Sequence, residues 1–85
     1  MKLQPTKRFV KKYRNLPQQV QKQTDQKLEF LLDNPKHPSL RVKKVKGTPG
    51  WFELSVTMNY RLVFRIVNDA YILLDIGTHS EILGR

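Results

Sequence analysis

Between Trp51 and Ile76 three apolar-rich segments follow one another with room only for turns: WFELSVTM, YRLVFRIV and YILLDI. They are short and rich in β-branched and aromatic residues, so they read as consecutive antiparallel strands. Asn68-Asp69 is a hairpin signal between the second and third, and the chain reverses around Asn59 between the first and second. Successive strand side chains point to opposite faces. The alternation puts Phe52, Leu54, Val56 and Met58 on one face, with Leu62, Phe64 and Ile66, then Ile72, Leu74 and Ile76. Trp51, Glu53, Ser55 and Thr57 go to the other face, with Arg61, Val63 and Arg65, then Tyr71, Leu73 and Asp75. One side of this meander has to be covered, and the other carries charge.

The cover comes from the N-terminal half. Pro5-Thr6 opens a helix with Thr6 as N-cap. From Lys7 to Asn15, Phe9, Tyr13 and the following Leu16 make one apolar face, while Lys7, Lys11 and Arg14 make a basic ridge on the opposite one. Leu16-Pro17 breaks the helix. Asn15 or Leu16 can cap the next, with Pro17 in its first turn, where a missing N–H costs nothing. Val20, Thr24, Leu28, Leu31 and Leu32 line its buried stripe up to Asp33-Asn34-Pro35, and Phe30 lies off that stripe. So short a link makes a helical hairpin. Residues 1–4 can form a short edge strand. Leu40 to Lys46 reads as another, carrying Arg41, Lys43, Lys44 and Lys46; lysine also protects such edges from aggregation. The expected fold is α+β: one domain over residues 1–85, with an N-terminal helical hairpin packed on one face of a small antiparallel sheet.

The charge is lopsided. Residues 1–47 hold 13 Lys/Arg against 3 Asp/Glu, a net of +10, and residues 48–85 hold 3 against 4, a net of −1. A basic half of this kind favours a polyanionic partner, nucleic acid first and an acidic protein second. Cysteine is absent, which excludes disulfides and thiolate metal sites. No apolar run approaches the ~18 residues of a membrane span, and MKLQPTKRFVKKYRNL lacks the apolar core of a secretory signal. The expected location is the cytoplasm, with no membrane partner. Two isolated histidines do not make a metal site, no glycine-rich phosphate loop is present, and no cofactor is expected.

What remains for chemistry is the charged face. Glu53, Ser55, Arg61, Arg65 and Asp75 emerge there, and His79 follows Gly77-Thr78 just past the last strand. Neighbouring strands lie about 4.8 Å apart, so these groups can form one patch. A base, an acid and a cation so arranged support metal-free phosphodiester cleavage. One group takes the 2′-hydroxyl proton, one protonates the leaving 5′-oxygen, and a guanidinium offsets charge on the phosphate. Arginine can grip phosphate oxygens bidentately, and histidine titrates near neutrality. Against this, Arg61 can simply pair with Glu53, and Trp51 is more often a packing residue than a stacking platform. His37, in a Pro-flanked loop, is given no role.

The order of elements, with NPKHPSL, NYRLVFRI and LLDIGTHSEIL, resembles the RelE/ParE superfamily of bacterial and archaeal type II toxins over nearly the whole chain. That resemblance implies a toxin that enters the ribosomal A site and cuts mRNA. Its partners would be the ribosome with bound mRNA and a cognate antitoxin that wraps the toxin. The ParE branch, with the same fold, inhibits DNA gyrase instead, and a weakened relative that mainly pairs with an antitoxin is a third reading. Arg61 matches the arginine used at the scissile phosphate, and His79 the proton-transfer histidine of YafQ-like and YoeB-like members. Glu53 and Ser55 stand where RelE has two strand lysines. Ser55 and Asn59 stand where YafQ-like members have a histidine and an aspartate. Leu83 replaces the terminal aromatic of many members. Two roles are open to Glu53: base, with His79 as acid, or support for Arg61. The expected RNA-binding residues are Lys7, Lys11, Arg14, Lys43, Lys44, Lys46 and Arg65, with the strand-edge lysines standing in for those of RelE.

Overall fold

A computed structural model describes residues 1–82, and every structural statement below concerns those residues; the expectation placed on Leu83 falls outside them. Helix α1 (Lys7–Arg14) starts at Thr6, whose extended backbone and hydroxyl cap the first turn; the Phe9 N–H donates to Thr6 Oγ1 at 3.2 Å. Phe9 is buried, and Tyr13 and Leu16 pack against the same core. Helix α2 (Gln18–Asp33) has Pro17 itself as N-cap, one residue later than expected, because Asn15 is occupied in closing α1. Val20, Thr24, Leu28 and Leu31 are buried, as the spacing requires, while Leu32 sits at the exposed margin of the stripe. The Tyr13 hydroxyl donates to Asp25 at 2.7 Å and ties the two helices together. That bond, with burial and the Asp25 charge behind it, pushes the phenol up to about 12.

The sheet has five strands in the order β1-β5-β4-β3-β2, made of β1 (Lys2–Pro5), β2 (Lys43–Lys44), β3 (Trp51–Ser55), β4 (Tyr60–Val67) and β5 (Ala70–Thr78). The meander β3-β4-β5 is antiparallel as expected. β1 extends it on the far side, running parallel to β5, so the sheet is mixed rather than purely antiparallel. The expected edge strand from Leu40 shrinks to β2. Leu40 itself is fully buried in a 3-10 turn, Pro38–Leu40. That turn is capped by His37, whose Nδ1 accepts from the Ser39 N–H at 3.1 Å. Phe30, off the helical stripe, stacks on the His37 ring at 4.1 Å. β3 also ends early, at Ser55, so Met58 lies in the β3–β4 turn and is 88% exposed instead of facing the core.

The largest departure from simple alternation is in β5. Val63 pairs with Asp75 but Phe64 pairs with Leu73, a bulge that inserts Leu74. A bulge lets two successive residues lie on one side of a strand. Tyr71, Leu73 and Ile76 therefore face the core, and Leu74 joins Asp75 on the other side. The inward set expected from alternation (Ile72, Leu74, Ile76) is right only at Ile76. The disturbed ladder is repaired by the start of α1. The Thr6 N–H donates to Leu73 O at 3.0 Å and the Thr6 hydroxyl to the same oxygen at 2.9 Å. One threonine thus caps a helix and satisfies a bulge. Around it the core closes with Phe64 between Phe52 (5.7 Å, stacked) and Tyr71 (5.6 Å, edge-on). Ile66, on the same face, stays half exposed.

Candidate functional site

The face of the sheet turned away from α2 is not the open slab that alternation suggests. The loop from Val45 to Trp51, the start of α1 and the C-terminal helix α3 (His79–Ile82) rise around it. They leave a cleft of about 640 Å³ lined by Thr6, Arg8, Val45, Thr48, Trp51, Val63, Leu74, Asp75 and Ile82. Glu53, Arg61 and His79 are not among its walls. The face therefore carries two neighbouring features, a cleft and a charged cluster at the β3–β4 turn.

The cluster is built on register. Ser55 lies opposite Arg61, Arg61 opposite Gly77, and Lys43 opposite Glu53. Glu53 is 3% exposed, and its Oε1 sits 3.7 Å from both Lys43 Nζ and Arg61 Nε. The guanidinium of Arg61 is also committed to the turn, where Nη1 donates to the carbonyls of Thr57 (2.8 Å), Met58 (2.9 Å) and Tyr60 (3.1 Å). His79 is exposed. Its backbone N–H donates to Asn59 O at 3.1 Å, which fixes the first residue of α3 to the turn that Arg61 braces. Arg61 and His79 thus occupy the same end of the sheet, and neither lies under the helices. Of the strand-edge lysines only Lys43 faces the Glu53 side. Lys44 is registered opposite Phe52, on the helix side. Lys46 is exposed in the loop, and Arg65 is exposed opposite Trp51. Lys7, Lys11 and Arg14 are exposed and flank a separate groove along α1, with Pro5, Thr6, Val10 and Asn15.

Sequence reasoning missed the cations that reach Asp75. Arg8 Nε lies 3.2 Å from Asp75 Oδ2, and Lys12 Nζ lies 2.9 Å from Oδ1, which also accepts the Ile76 N–H at 2.8 Å. Arg8 and Lys12 are four residues apart on α1, so they share a face, and that face borders the apolar stripe. The spacing was visible; its target was not, because the bulge decides where Asp75 points. A second missed group is Glu81. Its Oε1 accepts the Thr78 N–H at 2.7 Å, while its own N–H donates to Thr78 Oγ1 at 3.2 Å. This reciprocal box starts α3. Gly77 makes room for it, since a Cβ there would stand 2.8 Å from Glu81 Oε1 and 3.2 Å from Lys12 Nζ.

Hydrogen bonds from Thr78, backbone first and hydroxyl second, hold the Glu81 carboxyl below its ordinary value of 4.5. A depressed acid stabilises the folded form above the unfolded value and stops doing so as pH falls through the folded one. The Thr78 amide resonance is accordingly expected to titrate with its midpoint below the ordinary carboxyl value of 4.5. Glu81→Gln should remove that step. A Thr78 amide that titrates alike in both forms would contradict the box.

Among the described residues no group of three or more His, Cys, Asp or Glu is placed to hold a metal, and no helix is long and apolar enough to cross a membrane. A helical hairpin covers a mixed sheet that carries Arg61 on its central strand, and the outer surface of α1 is basic. The sequence profile of the ParE toxin of the type II toxin-antitoxin system parDE matches residues 3–83, and the chain belongs to that family. Comparison with curated proteins gives no match. Among solved structures the chain is similar to YafQ from E. coli, with a TM-score of 0.81 at 13% identity, covering 96% of this chain and 97% of that one. It is similar to a toxin from Helicobacter pylori, solved as a copper-bound mutant, with a TM-score of 0.73 at 25% identity over 98% and 99% of the two chains. It also matches the E. coli RelBE toxin–antitoxin complex, with a TM-score of 0.71 at 24% identity over 89% and 93%.

Proposed function

We propose that this toxin is a ribosome-dependent mRNA endonuclease held in check by a cognate antitoxin. The observation that carries the reading is the exposed His79 at the first residue of α3, whose backbone N–H donates to Asn59 O in the turn that Arg61 braces. In the reaction the 2′-oxygen attacks the adjoining phosphorus, the bond to the 5′-oxygen breaks, and a 2′,3′-cyclic phosphate and a 5′-hydroxyl result. His79 serves as the proton-transfer group. Arg61 supplies positive charge that needs no rearrangement as charge builds on the phosphate, the kind of preorganisation that lowers barriers most. Glu53, buried between Lys43 and Arg61, acts through Arg61 as a positioning residue rather than by touching RNA. The exposed Lys7, Lys11 and Arg14 of α1, with Lys43, Lys44, Lys46 and Arg65, supply the surface for ribosomal RNA. The antitoxin partner is proposed from the RelBE complex to which the chain is similar.

The test maps mRNA 5′ ends in cells expressing the wild type or His79→Ala. New ends confined to translated frames are expected with the wild type and should fall by about 10²- to 10⁴-fold in the variant. The ParE family match favours a second reading, inhibition of gyrase without catalysis. Loss of plasmid supercoiling while mRNA stays intact would establish that reading and remove the first.

A further inference from the structure

We infer that the cleft beside Trp51 is a nucleobase site that takes a purine from single-stranded RNA, guanine in preference to adenine. The inference rests on the reading that this toxin engages RNA, and it adds a recognition site apart from the Arg61–His79 end. Trp51 begins β3, and Ser55, opposite Arg61, ends it. Four residues of strand put them about 13 Å apart, so a base at Trp51 belongs to a different nucleotide from a linkage at Arg61.

The shape and lining of the cleft suit a flat apolar ligand with one polar edge. At about 640 Å³ it falls within the size range of small-ligand sites. Val45, Trp51, Val63, Leu74 and Ile82 supply its apolar walls. The backbone of Trp51 is held in place before any ligand arrives. Its N–H donates to Thr48 Oγ1 at 3.2 Å, its carbonyl accepts the Val45 N–H at 2.9 Å, and the Thr48 hydroxyl donates to Val45 O at 2.7 Å. An indole carried on a fixed backbone at the edge of a pocket is a stacking platform, and stacking accepts any base because every base has a π-face.

The polar edge is Arg8 with Asp75. Asp75 Oδ2 grips the Arg8 Nε, while the side chain of Arg8 remains 68% exposed. Among the described residues this guanidinium has no other partner, so its two terminal nitrogens are available to a ligand. Paired arginine donors match the O6 and N7 acceptors of guanine, whereas adenine presents a donor beside its N7. Arg65, cross-strand from Trp51, and the exposed Lys43 supply charge for the flanking phosphates, complementary to an RNA strand and to no neutral ligand.

Trp51 is the chain's single tryptophan, so its fluorescence reports on this cleft alone. The probe is an uncleavable 2′-O-methyl hexaribonucleotide of mixed sequence with one central guanine, compared with the same oligomer carrying adenine or an abasic residue there. The expected result with the full chain is quenching of Trp51 by the guanine oligomer and binding about 10- to 100-fold tighter than the abasic one. Adenine should fall between. Trp51→Leu should erase the difference while leaving the salt dependence intact, Trp51→Phe should keep most of it, and Arg8→Gln should erase only the guanine–adenine gap. Equal binding of the three oligomers, or binding without quenching, overturns the inference. No cleavage enters this test. A base-dependent signal with no mRNA ends in cells would sink the endonuclease reading and leave the cleft standing; mRNA ends with a silent Trp51 would do the reverse.

Discussion

Arg61→Ala should lower stability by about 2–3 kcal/mol, read as a shift in the urea midpoint. The loss has two sources. The carbonyls of Thr57, Met58 and Tyr60 all accept from one guanidinium nitrogen, and removing it leaves the β3–β4 turn without its brace. Glu53, almost wholly buried, keeps only Lys43 at 3.7 Å. Taking one partner from a buried ion pair strands the other charge, which costs more than the pair was worth. Here the exposed Lys43 and the partial exposure of Arg61 moderate that penalty. The double variant Glu53→Gln with Arg61→Ala should recover part of the loss, because no lone carboxylate remains. An Arg61→Ala protein as stable as the wild type would refute the brace. The same reasoning warns against reading a harmless Arg61→Ala toxin as proof of catalysis. Arg61→Lys, which keeps the charge and donors for the turn carbonyls but loses the planar fork that grips phosphate oxygens bidentately, is the better probe of the chemistry.

Phe64→Ala should cost about 3–5 kcal/mol, a large share of the roughly 5–15 kcal/mol that holds a domain folded. Phe64 is buried at the middle of the central strand, between the rings of Phe52 and Tyr71. It is also the residue at which the β4–β5 register steps from Asp75 to Leu73. Its loss should therefore speed hydrogen exchange of the β5 amides from Tyr71 to Leu74 more than that of α2. Phe64→Leu, which leaves a smaller void, should restore most of the stability. Uniform acceleration of exchange across the chain would show that the ring fills space without holding the step.

How much of this was legible without coordinates follows from which forces are local. The helical hairpin was legible because spacing, cap and breaker agree within each helix: Thr6, the Phe9–Tyr13–Leu16 face and Pro17 all act over a few residues. The faces of β3 were legible for the same reason. The faces of β5 were not, because its bulge answers to Thr6, a residue far away in the chain, and alternation carries no trace of that bond. The burial of Glu53 was hidden likewise, since it depends on which side of β2 each lysine takes. Arg61 and His79 were legible as candidates from the residue types at the strand ends. The bracing of Arg61 was not, because it depends on three carbonyls whose directions only the turn geometry sets. The cleft at Trp51 escaped because a concavity belongs to three elements at once.

The parallel pairing of β1 with β5 has a consequence for how the protein comes into being. Thr6 and Leu73, which lock that pairing, stand 67 residues apart. A chain made from its N-terminus outward carries its first strand unpaired until Ala70–Leu73 have been added, and the loop that the pairing then closes takes in both helices and three other strands.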